Sequence, residues 1–386
     1  MNRSPFLFLA GVILGSAALV SCNKGPEKIV IGVSAELTGS IPVAGQSCKN
    51  AAEFAVATVN AAGGLEVAGK KYPVEILLED NEDKAESAAA AAQKLVSAGV
   101  LAMIGPNASR NAIPAAEVAE TAKVPMISPW STAAKLTLDA RTNKPKKYVF
   151  RACFIDDFQG VVAAGFAESH LKSKKPAVLY DVASEYNKGI AEVYGKSLKK
   201  RGIELAAFES YTTGDKDFSA LLTKIQQAGA DSLFLPNYYS EVPLQVKQAR
   251  KLGFTGPILG SDGWGSPELL TLCGGDCEGQ FFTTHYAPDI ATPKAKDFIQ
   301  KFQGAYGKVP DDLAALTWDS FSLLFQAIQN AGKLDRQAVR DALAKISNFE
   351  GVTGTMEFNG TGDPVKSAVV IQIKDGKYTY FQTAKP

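Results

Sequence analysis

The sequence is poor in the residues that metal sites and acid–base catalysts most often use. It has two histidines, His170 and His285, among 386 residues, and imidazole is both a common metal ligand and the usual general base. It also has no G-x-S-x-G and no H-E-x-x-H motif, and the P-loop-like Gly195-Lys196-Ser197 has Ile190 where that motif needs glycine. These absences disfavour an enzyme, and we predict no cofactor and no metal.

An excess of charge of either sign is also lacking. Lysine plus arginine number 41 against 40 acidic residues, so no strong field would attract nucleic acid. The hydrophobic share of 46% is ordinary for a globular protein, and the length is sufficient for two hydrophobic cores. We expect a monomer that does not bind nucleic acid.

The N-terminus has the features of a targeting segment. Arg3 precedes an apolar run over residues 6–20 that is too short to cross a bilayer comfortably. The run ends in Leu-Val-Ser-Cys, which is typical of a bacterial lipobox. We predict that residues 1–21 are a lipoprotein signal peptide and that Cys22 carries the lipid; an ordinary secretory signal with an incidental cysteine is the alternative. No second hydrophobic stretch is long enough to span a membrane, so we expect a body tethered by lipid to the periplasmic or extracellular face of the cytoplasmic membrane.

Four further cysteines would then share an oxidising compartment. Cys273-Gly-Gly-Asp-Cys277 closes a small glycine-rich loop, which predicts a disulfide between its two ends. Zinc is the alternative for a close cysteine pair, but no second pair or histidine accompanies it. Cys48 and Cys153 are open to two interpretations, a disulfide or two buried free thiols.

Short apolar runs alternate with helical patterns along most of the chain. The first set has predicted strands at 29–33, 72–78, 100–104 and 124–128, and helices at 47–61, 85–98 and 111–123. The second set begins after Arg151, with strands at 177–180, 205–209, 232–235 and 257–259, and helices at 158–171, 188–201, 218–227 and 242–252. Each set predicts a doubly wound α/β sheet, so we expect two Rossmann-like lobes.

Three helices and a hairpin fall outside this alternation. The helices are predicted at 294–306, 312–331 and 335–346, and the hairpin strands 368–374 and 377–382 flank an Asp375-Gly376 turn. Elements left over after the second sheet indicate that the chain crosses between the lobes more than once.

Loops that follow predicted strands hold the candidate ligand-binding residues, because open α/β sheets bind ligands at the carboxyl ends of their strands. Ser109 ends the loop 104–109 at a helix N-terminus, where it would bind an anion or serve as a plain N-cap. The loop 128–132 carries the indole of Trp130 and the hydroxyls of Ser131 and Thr132, which would form a second wall for a ligand carboxylate and an apolar side chain. The alternative is that this loop is only a structural turn.

Acidic and aromatic candidates come from the second set. Asp262, in the loop 260–264, would pair with a ligand ammonium, or else would cap the helix predicted near Ser266 or shape the turn. Tyr186 and Tyr238 also follow strands, where aromatic residues form either ligand walls or the edges of a core.

Several long stretches, taken together, resemble one family. They are IVIGVSAELTGSIPVAGQ, VNAAGGLEVAGKKYPVEILLEDNED, MIGPNASRNAIPAAEVAETAKVPMISPWSTAAKLT, EYNKGIAEVYGKSLKKRG, YTTGDKDFSALLTKI, VKQARKLGF and GTMEFNGTGD. The chain resembles the type I periplasmic binding proteins of branched-chain amino-acid (leucine/isoleucine/valine) uptake systems, over nearly all of its mature length and in the family's order.

The resemblance implies two lobes joined by a three-strand hinge near residues 148–153, 282–286 and 351–355. The first lobe would comprise residues 22–150 and 284–353, and the second 151–283 and 354–386. The ligand would lie between the lobes, which close on it.

The resemblance also implies roles for the candidate residues. Ser109 and Thr132 would hold the ligand carboxylate, Asp262 the ammonium, and Tyr186 and Tyr238 the side chain. Three features depart from the family's pattern: Trp130 replaces a residue that is often small in members with aliphatic ligands, Asp262 replaces a glutamate, and Cys48 and Cys153 do not match the usual disulfide.

The function implied is that of a lipid-anchored substrate-binding protein of an ABC importer. Its ligand would be a branched-chain or related amino acid, and its protein partner an ABC permease in the inner membrane. The alternative is a sensing lipoprotein of the same fold, which binds an amide or an aromatic acid and signals to a membrane partner.

Overall fold

A computed structural model describes residues 1, 27–139, 141–358 and 360–386. Cys22 and nearly all of the predicted signal peptide lie outside these residues. Within the described ranges, no helix has both the length and the apolar character needed to cross a membrane.

Strands and helices alternate through most of the described chain. The strands are β1 (Ile29–Ala35), β2 (Leu65–Val67), β3 (Lys70–Tyr72), β4 (Val74–Asp80), β5 (Ala102–Ile104), β6 (Met126–Ser128), β7 (Val149–Arg151), β8 (Pro176–Asp181), β9 (Ala207–Tyr211), β10 (Ser232–Leu235), β11 (Ile258–Gly260), β12 (Phe281–Thr284), β13 (Phe349–Gly351), β14 (Gly354–Phe358), β15 (Pro364–Val365), β16 (Ala368–Lys374) and β17 (Lys377–Ala384). The helices are α1 (Pro42–Ala61), α2 (Ala85–Ser97), α3 (Ser109–Ala122), α4 (Asp156–Ser169), α5 (Glu185–Lys200), α6 (Ser219–Gln227), α7 (Val242–Lys251), α8 (Glu268–Cys273), α9 (Pro293–Tyr306), α10 (Asp312–Ala331) and α11 (Arg336–Leu343).

Two sheets form the centres of two lobes, which confirms the predicted fold class. The first sheet has the order β4-β1-β5-β6-β7 and is parallel throughout. Its strand β1, between β4 and β5, is almost wholly buried, with Ile31 and Val33 at 0% exposure, because helices cover both faces of a doubly wound sheet. The loops that carry Ser109 and Thr132 leave the carboxyl ends of β5 and β6.

The second sheet has the order β17-β16-β12-β11-β10-β8-β9. It is parallel from β12 to β9, and the hairpin β16–β17 adds two antiparallel strands beside β12. Strand β12 is buried and ends at Thr284, and the crossing near residues 282–286 that the resemblance implies stays a prediction.

Helices α9 to α11 return to the first lobe. Asp311 caps α10 by accepting a hydrogen bond from the backbone N–H of Ala314 at 2.8 Å, and Gly332 ends the helix with φ near 65°. Aromatic side chains join this segment to α1: the ring of Phe54 lies 5.5 Å from that of Phe302 and 5.3 Å from that of Trp318.

Some predicted boundaries were wrong for local reasons. Helix α1 begins at Pro42 instead of residue 47, because proline is well suited to the first helical turn. The strand predicted over 72–78 divides at Pro73, which separates β3 from β4. The short strands β13 to β15 were not predicted.

Two buried groups of opposite charge, Asp319 and Lys366, are linked through the hydroxyl of Thr353, which donates to Asp319 and accepts from Lys366. Asp319 accepts hydrogen bonds from the backbone N–H groups of Val352 (2.8 Å) and Thr353 (2.9 Å), and Lys366 donates to the carbonyl of Ala152 at 3.1 Å and to the hydroxyl of Thr353. Burial raises the pKa of Asp319 and lowers the pKa of Lys366, while the attraction between their charges acts in the opposite direction on both.

We predict that Asp319→Ala lowers the free energy of unfolding by about 3–5 kcal/mol, because two backbone N–H groups and the Thr353 hydroxyl lose a buried acceptor and the buried charge of Lys366 loses an opposing charge. Chemical denaturation measures the difference. Asp297→Ala, which removes an exposed pair with Lys301, is the control and should change stability little. Equal losses in the two variants would contradict the prediction.

Candidate functional site

Two loops of the first lobe meet at Ser109. Helix α3 begins at this residue, and its N-cap is Ala108, so the interpretation of Ser109 as a plain N-cap is wrong. The hydroxyl of Ser131 donates to Ser109 Oγ at 2.9 Å, and the N–H of Ala133 does so at 3.4 Å. The buried Thr132 Oγ1 has no hydrogen-bond partner among the described residues. This hydroxyl adjoins the buried carboxylate of Asp156, and as a hydrogen-bonding neighbour it acts to lower the pKa of that carboxyl group against the larger effect of burial.

Glu36, a residue that the sequence analysis missed, accepts hydrogen bonds from the backbone N–H groups just before α3. Its carboxylate accepts hydrogen bonds from the backbone N–H groups of Asn107 and Ala108, both at 3.1 Å, and from the side chains of Asn107 and Asn111. Burial raises the pKa of Glu36. These two N–H groups are thus unavailable to a ligand anion; the only signal in the sequence was an acidic residue directly after a buried strand.

Arg151 holds the loop that carries Thr132. Its guanidinium donates to the carbonyls of Ser131 (2.7 Å) and Ala133 (2.9 Å), and its Nε donates to Asp363 Oδ1 at 2.7 Å. The side chain of Arg151 is fully buried, so these bonds are shielded from water. The positive charge of Arg151 therefore offsets the partial negative charge of these two carbonyl oxygens.

Asp262 belongs to a hydrogen-bonded cluster in the second lobe. Tyr186 donates to Asp262 Oδ1 at 2.6 Å and accepts from the N–H of Gly263 at 2.9 Å. Gly263 is needed here, because a Cβ would lie 2.7 Å from the carbonyl oxygen of Asn237. Helix α8 begins at Glu268 after Pro267, so the interpretation of Asp262 as a helix cap is wrong.

Two further residues, missed in the sequence analysis, adjoin Asp262. His285 Nε2 lies 3.3 Å from Asp262 Oδ2, and its ring packs on Phe154 at 3.6 Å between centroids. Asp156, the first residue of α4, is buried, and neither of its carboxylate oxygens has a hydrogen-bond partner among the described residues. Burial, and next the charge of Asp262, raise the pKa of Asp156 well above its ordinary value. The only signal was a pair of acids, Asp156 and Asp157, at a helix start.

Aromatic side chains from the two lobes meet beside these polar groups. The ring of Tyr238 lies 5.8 Å from Trp130 and 5.1 Å from Tyr186. The guanidinium of Arg110 lies over Tyr238 at 5.3 Å, and its Nε donates to Asp83 at 2.8 Å. The structure therefore has the lobes in contact along this cleft.

The predicted site residues are brought together along this cleft. The first lobe supplies Ser109, Trp130, Ser131 and Thr132, and the second supplies Tyr186, Tyr238 and Asp262. What each of these residues binds stays a prediction.

Of the four cysteines that the structure describes, Cys153 contacts the loop that carries Thr132. The thiol of Cys153 donates to the carbonyl of Ser131 at 3.2 Å. Cys48 and Cys153 are both buried and free, so of the two interpretations the disulfide is wrong. The Cα atoms of Cys273 and Cys277 are 5.7 Å apart, a separation that suits a disulfide; that bond stays a prediction.

A cavity of about 360 Å³ lies beside the cleft. Phe282, Tyr286, Asp312 and Tyr378 are among its lining residues, and no predicted site residue lines it. His285 lies between the two regions, since its backbone N–H donates to Asp312 Oδ1 at 3.3 Å while its ring faces Asp262. We therefore do not assign this cavity to the cleft.

We predict that Asp262→Asn lowers the pKa of Asp156, because it removes a nearby negative charge while burial persists. Titration of the side-chain carboxyl carbons by NMR measures the shift. Asp157→Asn, at an exposed and weaker neighbour, is the control and should cause a smaller decrease. An unchanged pKa of Asp156 in the Asp262→Asn variant would contradict the prediction.

Comparison with known proteins agrees with this architecture. A family model described as periplasmic binding protein matches residues 28–377. A leucine-, isoleucine-, valine-, threonine- and alanine-binding protein of Pseudomonas aeruginosa is 31% identical over 363 residues, which cover 94% of this chain and 93% of the relative. A Leu/Ile/Val-binding protein homolog of Brucella melitensis is 33% identical over 365 residues, with 93% of each chain covered.

Solved structures show the same similarity in three dimensions. A leucine binding protein from Thermotoga maritima has 35% identity and a TM-score of 0.86, and the match covers 93% of this chain and 99% of that one. A branched-chain amino acid transporter substrate binding protein from Streptococcus pneumoniae, in complex with isoleucine, has 33% identity and a TM-score of 0.85, and covers 93% and 100%. These relatives are binding proteins, which confirms the prediction that the chain is not an enzyme. The chain belongs to the type I periplasmic binding proteins of the Leu/Ile/Val-binding family.

Proposed function

We propose that the chain is a lipid-anchored extracytoplasmic substrate-binding protein, which binds a branched-chain or related amino acid between its lobes and delivers it to an ABC permease. The observation that carries the proposal is a pair of buried carboxylates, Asp156 and Asp262, in the same cleft as the hydroxyls of Ser109 and Thr132. The names of the relatives, which bind leucine, isoleucine or valine, support this class of ligand.

The carboxylate of the ligand would bind at the Ser109–Thr132 side of the cleft. Among the described residues, Thr132 Oγ1 makes no hydrogen bond of good geometry, although it lies beside Asp156, and a buried donor of this kind is costly unless a ligand satisfies it. The carbonyls of Ser131 and Ala133, which would repel an anion, are already bonded to Arg151.

The ammonium would bind between Asp156 and Asp262. Among the described residues, no lysine or arginine lies within 4.0 Å of either carboxylate, and His285 is the basic group beside Asp262. Two buried carboxylates without a lysine or arginine beside them are unfavourable, so a ligand ammonium would stabilise both. An aromatic acid or a neutral amide has no cation to offer, and this disfavours the alternative ligands.

Such a ligand would bind groups from both lobes at once. Binding to groups on two lobes favours the conformation in which they are in contact, so ligand and closure are thermodynamically linked. No bond is made or broken. Uptake reconstituted with the permease would distinguish transport from sensing.

We predict that Asp262→Asn weakens amino-acid binding at least about 30-fold, because it removes one partner of a buried charge pair. Calorimetry with leucine, isoleucine and valine, on a protein that begins at about residue 24 and so lacks the signal peptide, measures the change in affinity. Deaminated and amidated analogues of these amino acids should fail to bind the wild type. Asp297→Asn makes the same chemical change at an exposed aspartate outside the cleft and is the matched control. Unchanged affinity in the Asp262→Asn variant, or equal binding of a deaminated analogue, would refute the assignment.

For the anchor, we predict that Cys22→Ser abolishes incorporation of lipid into the protein, because the serine hydroxyl cannot receive the thioether-linked lipid. Labelling of expressing cells with a radioactive fatty acid, followed by immunoprecipitation, measures the incorporation. Cys48→Ser is the control and should be labelled like the wild type. A Cys22→Ser protein that still incorporates the label would show that the lipid is not on this cysteine.

A further inference from the structure

The side-chain end of the cleft is filled by aromatic rings. Trp130 from the first lobe and Tyr186 and Tyr238 from the second are each 5% exposed or less. Tyr238 contacts both of the other rings, at 5.8 Å and 5.1 Å between centroids. Rings packed at these separations leave little space between them for the side chain of a ligand.

Polar contacts hold the two tyrosine rings in place. Tyr186 is fixed by its hydrogen bonds to Asp262 and Gly263. Tyr238 is covered by the guanidinium of Arg110, which is itself held in an ion pair with Asp83, whose side chain is 1% exposed. Displacing Tyr238 would therefore disturb a buried charge pair as well as an aromatic contact.

The backbone that carries Trp130 is fixed as well. The next residue, Ser131, is bonded through its hydroxyl to Ser109 and through its carbonyl to Arg151 and Cys153. These bonds belong to the loop that would hold the ligand carboxylate. In a ligand held by its carboxylate, the side chain would therefore extend toward the indole of Trp130, and the loop would set the distance between the ligand carboxylate and the indole.

We infer that Trp130 limits the ligand to amino acids with small side chains, of the size of alanine to valine, and excludes leucine, isoleucine and phenylalanine. The inference rests on the proposed function and narrows its substrate class. A rigid wall rejects additional methylene groups, because overpacking forces neighbouring side chains and backbone to shift.

The test is calorimetry with alanine, threonine, valine, leucine, isoleucine and phenylalanine on the body from about residue 24. Alanine, threonine or valine should bind the wild type at least about tenfold more tightly than leucine. Trp130→Ala should improve the affinity for leucine relative to alanine by at least about tenfold, since it removes the wall. Trp130→Leu, which keeps an apolar side chain, is a second variant with a smaller expected gain, and the exposed Phe208→Ala is the control.

The outcomes separate this inference from the proposed function. If leucine binds the wild type as tightly as alanine or valine, the size limit is wrong and the proposed function stands. If the wild type prefers small ligands but neither variant at position 130 shifts that preference, another residue sets the limit and the inference fails. If no amino acid binds the wild type, the proposed function itself is wrong and the inference falls with it.

Discussion

The cleft depends on one buried arginine. Arg151 lies at the end of β7, where the chain leaves the first sheet, and its guanidinium is bonded to the carbonyls of Ser131 and Ala133 and to Asp363. Asp363 comes from a distant part of the chain, just before β15. One side chain therefore joins the candidate carboxylate loop both to the end of β7 and to the segment before β15, so the position of that loop depends on both of them.

Charge is the second constraint on the cleft. Asp156 and Asp262 are both buried, and the negative charge of Asp262 disfavours ionisation of Asp156. A fold retains such a pair only when something else compensates for it, and in a binding protein the ligand is the natural source of compensation. When an ammonium enters, the pKa of Asp156 must fall, so binding and proton release are linked at pH values below the raised pKa.

The fold could be predicted from the sequence because buried parallel strands read as short apolar runs, and most strands and helices lie within a few residues of their predicted positions. Short strands such as β13 are too brief to show a period. At the site, the loops ending in Ser109 and Thr132 were identifiable from their places after strands. Glu36 and Asp156 were not, because their importance comes from burial and from neighbours far away in the chain, which no local pattern reports.

Selectivity and closure depend on the same contacts. Tyr238 belongs to the second lobe and Trp130 to the first, so their contact contributes to the stability of the conformation in which the lobes touch. A ligand whose side chain separated the two rings would gain its own contacts but would lose this one, and Arg110 would lose its place over Tyr238. A small ligand keeps both contacts. The free energy of closure therefore depends on the size of the ligand, and Trp130 influences both the selectivity for the ligand and the stability of the closed conformation.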